Sequence, residues 1–220
     1  MTEVLNGRDR KGNQDLGNKM VTDDHLMCRF QEGDESAFKR LLERYQDRIM
    51  NYVFRIVGDY DTAVDITQEA FIRVYMNAGR YLPGSRFAPW LYRIASNLAI
   101  NEIRRRKRWR FFSFDEPINS DEKSMTFELP DESILSPEAN IIQKEDVESV
   151  EQALEKIPVK YRTPLILREI EGYDYEEISK ILNIPRGTVK SRLNRGRSLL
   201  KTALYRQDKS QQTAFSLKEE

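Results

Sequence analysis

The chain has 220 residues, and its 36 Lys and Arg balance its 36 Asp and Glu, so the formal net charge is zero. One Cys and one His exclude an internal disulfide, a multi-histidine metal site and a Cys-pair zinc site. No apolar run could span a bilayer, and residues 1–20 lack the apolar centre of a secretory signal. We therefore expect a cytoplasmic protein that has a disordered leader at 1–20 and needs no metal or cofactor.

Helical periodicity dominates the first half of the chain. Asp34 is a suitable N-cap for a helix over 35–57, and Gly58 is a suitable residue to end it. Apolar residues recur in this helix at steps of three and four, as one buried stripe requires. They are Phe38, Leu41, Leu42, Tyr45, Ile49, Val53 and Ile56.

Two further helices complete a first domain at 21–111. One is predicted over 60–78, and a stretch that contains Gly and Pro at 79–86 must then form a loop. The next helix starts near Phe87 or Pro89 and runs to about Arg108. Pro89 fits at its start, because proline is accepted in a first helical turn. The inward residues of the helix over 60–78 are Ala63, Ile66, Ala70, Phe71 and Val74.

The composition changes sharply after this domain. Eleven acids, two lysines and three prolines lie between 115 and 148, which predicts an acidic linker at 112–145. Two interpretations of its charge stay open: a spacer kept extended by its own repulsion, or a specific acidic role. A loose linker cannot hold two binding sites at a fixed separation.

The second half of the chain is helical again. One helix begins near 146 and stops at Pro158, and a shorter one starts at Tyr161 or Pro164 and ends at Gly172. Their predicted inward residues are Val147, Val150, Leu154, Ile157, Leu165, Leu167 and Ile170.

A helix-turn-helix is predicted next. Asp174 with Glu177 three residues later forms a capping box that starts one short helix. A tight turn at 183–184 leads into a second helix, and two short helices joined in this way define the motif. The fold class is therefore all-α: two small helical domains joined by a long acidic linker, the C-terminal domain at 146–206 being a helix-turn-helix, with a flexible tail at 207–220.

The second helix of this motif is strongly basic. The stretch from Pro185 to Lys201 holds six basic residues and no acid, and a helical wheel places its apolar residues on one side and its donors on the other. Lys and Arg can donate to guanine, Asn can pair with adenine, and flanking cations can meet phosphates. A solvated surface helix normally mixes Glu with Lys, so the pattern favours duplex DNA binding. The candidates are Arg186, Thr188, Lys190, Ser191, Arg192, Asn194, Arg195 and Arg197.

A second basic cluster lies at the end of the first domain, where Arg104, Arg105 and Arg106 begin a dense run. Aromatic residues lie upstream, several around the loop at 79–86. Cations beside aromatic rings suit single-stranded nucleic acid, because cations follow the backbone and rings stack on unpaired bases. Tyr81 is the better stacking candidate, whereas Trp90 is expected in the core.

A polar face is predicted on the helix over 60–78. Asp65, Gln68, Glu69 and Arg73 share one side at helical spacing, opposite the buried stripe. From spacing alone, an ordinary solvated face is the favoured interpretation.

Three segments carry a resemblance to bacterial sigma factors of the extracytoplasmic-function group. In chain order they are DITQEAFIRVY, SRFAPWLYRIASNLAINEIRRRKR and IPVKYRTPLILREIEGYDYEEISKILNIPRGTVKSRLNRGRSLLK. The resemblance covers about residues 22–206. The chain has no room for the additional domains of housekeeping sigma factors, so it is similar to the minimal two-domain group.

This resemblance implies roles for the candidate residues. The first domain would be sigma region 2, and its face of Asp65, Gln68, Glu69 and Arg73 would dock on the clamp helices of the RNA polymerase β′ subunit. The second domain would be region 4, and its basic helix would read the minus-thirty-five promoter element. Region 2 would melt the minus-ten element and capture an unpaired base, and by position Asn77, Tyr81 and Asn97 match the pocket residues of that capture. The other residues expected to bind the minus-ten DNA are Trp90, Arg104, Arg105 and Arg106.

The resemblance also implies partners. They are core RNA polymerase, contacted at the β′ clamp helices and the β flap, promoter DNA, and an anti-sigma factor, with activation by an envelope or stress signal. The acidic linker would thread the RNA channels of the polymerase. No small-molecule substrate and no membrane insertion are implied.

Two other classes of protein compete with this interpretation. A helix-turn-helix regulator with a helical sensor domain would be a dimer and bind palindromic DNA, whereas a free sigma factor is a monomer. A nucleic-acid-modifying enzyme would need a carboxylate cluster, an activated nucleophile or metal ligands, and no such set is found. We therefore expect no enzymatic activity.

Overall fold

The structure is a computed structural model that describes residues 21–82, 84–112 and 149–216, and side chains as far as 109 and 207 in the two halves. Two predicted segments lie outside the described residues. They are the leader at 1–20 and the acidic linker from residue 113 to residue 145. Every regular element within the described residues is a helix, which confirms the predicted all-α class.

The first domain contains four α-helices and one short 3-10 turn. The 3-10 turn, Ala78–Arg80, begins the loop that the Gly and Pro residues predict. The α-helices are α1 (Asp23–Gln31), α2 (Glu35–Val57), α3 (Tyr60–Met76) and α4 (Phe87–Phe112).

Helix α2 matches its prediction at both ends. The Asp34 carboxylate accepts from the backbone N–H of Ser36 at 3.0 Å, and Gly58 adopts φ 72°, a left-handed conformation that favours glycine. Helix α2 packs against α1, α3 and α4. In its apolar stripe, Leu41, Ile49, Val53 and Ile56 are all fully buried.

The sequence interpretation missed α1. This helix begins after Thr22, whose hydroxyl accepts from the His25 N–H at 3.3 Å. It is anchored to α2 by polar contacts, since Arg44 and the Tyr45 hydroxyl reach the Asp23 carboxylate at 2.7 Å and 2.5 Å. Burial, together with this carboxylate, raises the pKa of Tyr45, so its hydroxyl stays a donor.

The second domain contains α5 (described over 149–155) and three further helices. Helix α5 is followed by a helical unit in which α6 and α7 both pack on α8. The three helices are α6 (Val159–Glu169), α7 (Tyr175–Leu182) and α8 (Arg186–Ser216).

Several predicted details of this domain are wrong. Helix α6 begins at Val159, earlier than expected, because the Pro158 carbonyl accepts from Tyr161 N–H at 2.8 Å and Arg162 N–H at 3.1 Å. Val150 and Ile170 are 37% and 44% exposed rather than inward, and Ala153 takes the core position in α5. Helix α8 continues to Ser216, where the sequence predicted a flexible tail from 207.

The two domains pack against each other and share one hydrophobic core. Helix α4 lies against α7, and α2 lies against α6. The buried cluster runs without a break from Leu26 in α1 to Leu193 in α8. The first domain therefore serves as a platform for the helix-turn-helix, an arrangement that the sequence did not predict.

Candidate nucleic-acid and protein interfaces

The helix-turn-helix is fixed by local hydrogen bonds. Asp174 and Glu177 form both halves of the predicted capping box, with the Glu177 N–H donating to Asp174 at 2.8 Å and the Asp174 N–H to Glu177 at 2.9 Å. The first of these bonds holds the pKa of Asp174 below its usual range. Asn183 adopts φ 51° in the turn, and the Ser179 hydroxyl donates to the Ile184 carbonyl at 2.6 Å.

The basic helix α8 has two distinct faces, as the wheel predicts. Val189 and Leu193 are fully buried. Gly196 allows a close approach to α6, because a Cβ there would lie 3.1 Å from the Tyr161 carbonyl oxygen. The opposite face is exposed to solvent and carries Lys190, Ser191, Asn194 and Arg195.

The residues that flank the exposed face of α8 differ in how freely they could contact a phosphate. Arg186 is exposed, whereas Thr188 and Arg192 are half-buried. Arg197 pairs with Glu169 of α6 at 2.7 Å, and this hydrogen bond raises the pKa of Arg197. Arg197 therefore ties α8 to α6, and a phosphate would have to compete with a carboxylate for its guanidinium.

The basic run at the end of α4 divides into structural and exposed parts. Arg106 contacts Asp59 at 3.1 Å and Glu102 at 3.0 Å, so it clamps α4 onto the start of α3. Arg105 makes two 2.8 Å hydrogen bonds to Glu102, and they hold the pKa of Glu102 below its usual range. Arg104 is exposed.

The end of α4 also carries an exposed aromatic side chain. Trp109 is 67% exposed and neighbours two exposed cations, Lys107 and Arg108. The sequence interpretation missed this residue, although a tryptophan inside a basic run is a usable signal for nucleic-acid stacking.

Tyr81 does not offer an exposed ring, so its predicted role as a stacking platform is corrected. The side chain is only 4% exposed, and its ring centre lies 5.3 Å from that of Trp90. Its hydroxyl donates to Asp24 at 2.5 Å and also contacts the Ser85 carbonyl. Burial and the Asp24 contact raise the pKa of Tyr81, so this hydroxyl stays a donor that fixes the loop.

The other candidates for single-strand binding surround this loop. Asn77 ends α3 and donates to the Arg73 carbonyl at 2.9 Å, and Asn97 is exposed on α4. Trp90, expected in the core, is half-buried. Leu82 is 72% exposed at the loop tip and was missed.

The polar face of α3 is exposed as predicted. Asp65, Gln68 and Arg73 are open to solvent, and Glu69 pairs with Arg73 at 2.7 Å. An apolar groove adjoins this face and was not predicted, because it forms between two helices. Its lining residues are Phe38, Leu42, Gln68, Phe71, Ile72 and Tyr75.

Two negative findings apply to the described residues. No group of three or more His, Cys, Asp or Glu in that part of the chain could hold a metal ion. No helix there is long and apolar enough to cross a membrane.

A helix-turn-helix with an exposed donor face, beside a basic and aromatic domain, defines a DNA-binding protein of transcription. Residues 41–109 match the family model for Sigma-70 region 2, and residues 148–200 match that for Sigma-70, region 4. The chain belongs to the extracytoplasmic-function group of RNA polymerase sigma factors, and it directs promoter-specific transcription initiation. The comparisons give no support to the alternative of a dimeric regulator.

Curated relatives cover most of the chain. An extracytoplasmic-function RNA polymerase sigma factor, SigW of Bacillus subtilis, is 38% identical over 173 residues, which is 79% of this chain and 91% of the relative. RNA polymerase sigma-H factor of Pseudomonas aeruginosa is 37% identical over 83% of this chain and 93% of its own length. The sigma-E factor of Escherichia coli K12 is 35% identical over 83% and 94%.

Solved structures share the fold. The sigma factor RpoE of Bartonella quintana, crystallised with the anti-sigma factor NepR, superposes with a TM-score of 0.62 at 23% identity and covers 76% of this chain and 96% of that one. CnrH, solved with the cytosolic domain of CnrY, gives a TM-score of 0.58 at 20% identity and covers 83% and 96%.

Proposed function

We propose that this sigma factor reads the minus-thirty-five element with α8, melts the minus-ten element with its first domain, and docks on core RNA polymerase through α3. The division of α8 into a buried apolar face and an exposed donor face carries the proposal. Such a helix can enter a major groove while its other face stays in the protein core.

The residues of α8 divide into two kinds of DNA contact. Lys190, Asn194 and Arg195 point into solvent from the centre of the exposed face, where side chains can reach base edges. Arg186 and Arg192 lie at its margin and would bind phosphates, with Thr188 and Ser191 as short hydroxyl donors. Arg197 adds a phosphate contact only if it leaves Glu169.

The first domain would bind the unpaired strand of the melted minus-ten element. Asn77 and Asn97 supply amide groups near the loop, and Arg104 and Arg105 supply charge along α4. Tyr81 and Trp90 support the loop rather than stack on the strand, and Arg106 holds α4 in place. Extruding a base from the stack costs a few kcal/mol, and hydrogen bonds and stacking in a rigid pocket must offset this cost.

The docking face of α3 combines charge with an apolar surface. Asp65, Gln68, Glu69 and Arg73 form a polar rim, and the adjoining groove offers aromatic and aliphatic side chains. A polar rim around an apolar centre is the usual anatomy of a protein interface. This face would contact the β′ clamp helices, and the second domain would contact the β flap.

The wider role follows from the family. The protein acts in the cytoplasm, where its polymerase and promoter DNA lie, and it has no enzymatic activity of its own. The sigma factor RpoE was solved with the anti-sigma factor NepR, and CnrH was solved with the cytosolic domain of CnrY. We expect an anti-sigma factor here too, released by an envelope or stress signal, and we expect the acidic linker to occupy basic channels of the polymerase.

Titration of promoter DNA with the protein, alone and with core polymerase, tests this proposal. Alone, binding should be weak, steeply salt-dependent and almost sequence-independent. With core polymerase, binding should be tight and specific. Tight binding of a palindrome by the isolated protein would contradict the proposal.

A further inference from the structure

Helix α1 holds both ends of the loop that precedes α4. At the start of the loop, Gln31 Nε2 donates to the Ala78 carbonyl at 2.8 Å and to the Tyr81 carbonyl at 2.9 Å. These two bonds use both hydrogens of one amide group, and they span the 3-10 turn. At the end of the loop, the Asp24 carboxylate accepts from the Phe87 N–H at 3.0 Å. The loop is therefore tied to one helix at its entry and at its exit.

Helix α1 is itself fixed to the body of the first domain. Leu26 and Met27 are fully buried. The ring centre of Phe30 lies 4.8 Å from that of Phe38 and 5.0 Å from that of Tyr75. The polar bonds from α1 to the loop therefore start from a rigid support, which is what the positioning of a functional side chain requires.

The tip of this braced loop carries an exposed apolar side chain. Leu82 is 72% exposed, and its carbonyl accepts from the Ser85 N–H at 3.0 Å, so the backbone turns back directly after it. Gly84 adopts φ 85° in this turn, a left-handed conformation that favours glycine. Arg80, which is also exposed, precedes the tip. A single exposed leucine is ordinary on a protein surface, but exposing one does not require a second helix that fixes the loop at both ends.

The chemistry of the loop tip suits an unpaired base. Leucine is among the apolar side chains that insert between bases, and cations follow the phosphate backbone of a single strand. A base within a duplex has its two faces covered by its neighbours in the stack. A contact with a base face therefore distinguishes melted DNA from duplex DNA.

We propose that Leu82 packs on a base of the melting promoter strand, and that Gln31, with Asp24, is a positioning residue that aims Leu82 at it. The inference rests on the proposed role of the first domain in melting, to which it adds a contact residue and a function for α1. The base must leave the stack before Leu82 reaches its face, so the contact stabilises the open complex more than the closed one. A loop that is already fixed loses little conformational entropy on binding, so Gln31 contributes without touching DNA.

Open-complex formation with core polymerase tests the positioning role. Gln31→Met keeps the length of the side chain and removes its donors, so opening of a linear promoter should fall by about 10-fold, the scale of two net hydrogen bonds. Gln31→Lys restores a donor and should recover most of this loss. Permanganate reactivity of the melted segment measures opening. Gel-shift titration of the closed complex measures duplex binding, which should stay as in the wild type.

Two matched controls lie on the same helix. His25 is exposed on α1 and bonds to Thr22 through its backbone N–H, so its side chain can be replaced without loss of that bond. His25→Met and His25→Lys should both open the promoter as the wild type does, and circular dichroism confirms that each variant is folded. Normal opening by Gln31→Met, or equal defects in Gln31→Met and Gln31→Lys, would overturn the positioning role.

A double-mutant cycle connects Gln31 to Leu82. Leu82→Ala should reduce opening by about 10-fold because its apolar contact is lost, whereas Leu82→Met should reduce it little. If Gln31 acts by aiming Leu82, Gln31→Met should add little to the defect of Leu82→Ala. Additive losses, or normal opening by Leu82→Ala, would overturn the proposal. Failure of the wild-type protein to open any promoter would instead count against the proposed melting role.

Discussion

Arg162 Nη2 donates to the carbonyl oxygen of Ile56 at 2.6 Å, although 106 positions separate the two residues along the chain. The guanidinium is almost fully buried, and this burial lowers the pKa of Arg162. A buried charge that caps the helix of another domain makes the stability of each domain depend on the other.

This coupling predicts cooperative unfolding. The wild-type protein should unfold in one calorimetric transition, because its two domains share a core. Arg162→Ala should lower the free energy of unfolding by about 1.5–3 kcal/mol, the usual contribution of hydrogen bonds to a charged group. It should also separate the transition into two. Lys160→Ala, on the exposed side of the same helix, should change neither, and two transitions in the wild type would contradict the coupling.

Substitutions in α8 should distinguish base reading from phosphate binding. Lys190→Ala and Arg195→Ala should each cost about 1–3 kcal/mol of promoter affinity and relax the preference at one or two base pairs. Arg186→Ala and Arg192→Ala should weaken all sequences alike and flatten the salt dependence. Competition binding of the polymerase complex against a library of minus-thirty-five variants measures both effects. If all four variants weakened binding to every sequence alike, α8 would not read bases.

Charge reversal on α3 should abolish docking on the polymerase. Asp65→Arg with Glu69→Arg should weaken binding to core polymerase by about 3 kcal/mol or more, because like charges across an interface cost several kcal/mol. Weak DNA binding by the free protein should not change. Glu43→Arg on α2 is the control, since it also breaks an exposed (i, i+4) ion pair. Unchanged co-purification with core enzyme would place the docking face elsewhere.

Promoter melting should depend on Asn97 of α4 and on the loop that precedes α4. Asn97→Ala should reduce open-complex formation by about 1–3 kcal/mol without lowering the melting temperature, because Asn97 is exposed. Tyr81→Phe removes the bond to Asp24, so it should lower both melting temperature and promoter opening. Permanganate footprinting on linear and pre-melted templates measures these defects. A defect of equal size on both templates would argue against base capture.

Local features of this protein follow directly from its sequence. The Asp174–Glu177 capping box and the two faces of α8 depend on residues three to four positions apart, so helical spacing alone predicts them. The polar face of α3 was predicted for the same reason.

Features that depend on distant partners were not predictable in this way. Tyr81 lies in a polar stretch, but Asp24, which is 57 positions away, draws its hydroxyl inward. Arg106 belongs to a basic run, but its guanidinium contacts Asp59, which lies 47 positions away along the chain. The interdomain packing depends on the pairing of Glu171 with Tyr92, and nothing in the local pattern of either residue indicates it.

The most direct test of the account is run-off transcription with sigma-free core RNA polymerase on a library of genomic promoter fragments. Adding this protein should yield discrete transcripts whose start sites share a minus-ten and a minus-thirty-five motif, and Lys190→Ala or Arg195→Ala should reduce or redistribute them. Transcripts no different from those of core enzyme alone, together with specific dimeric binding to a palindrome, would contradict it.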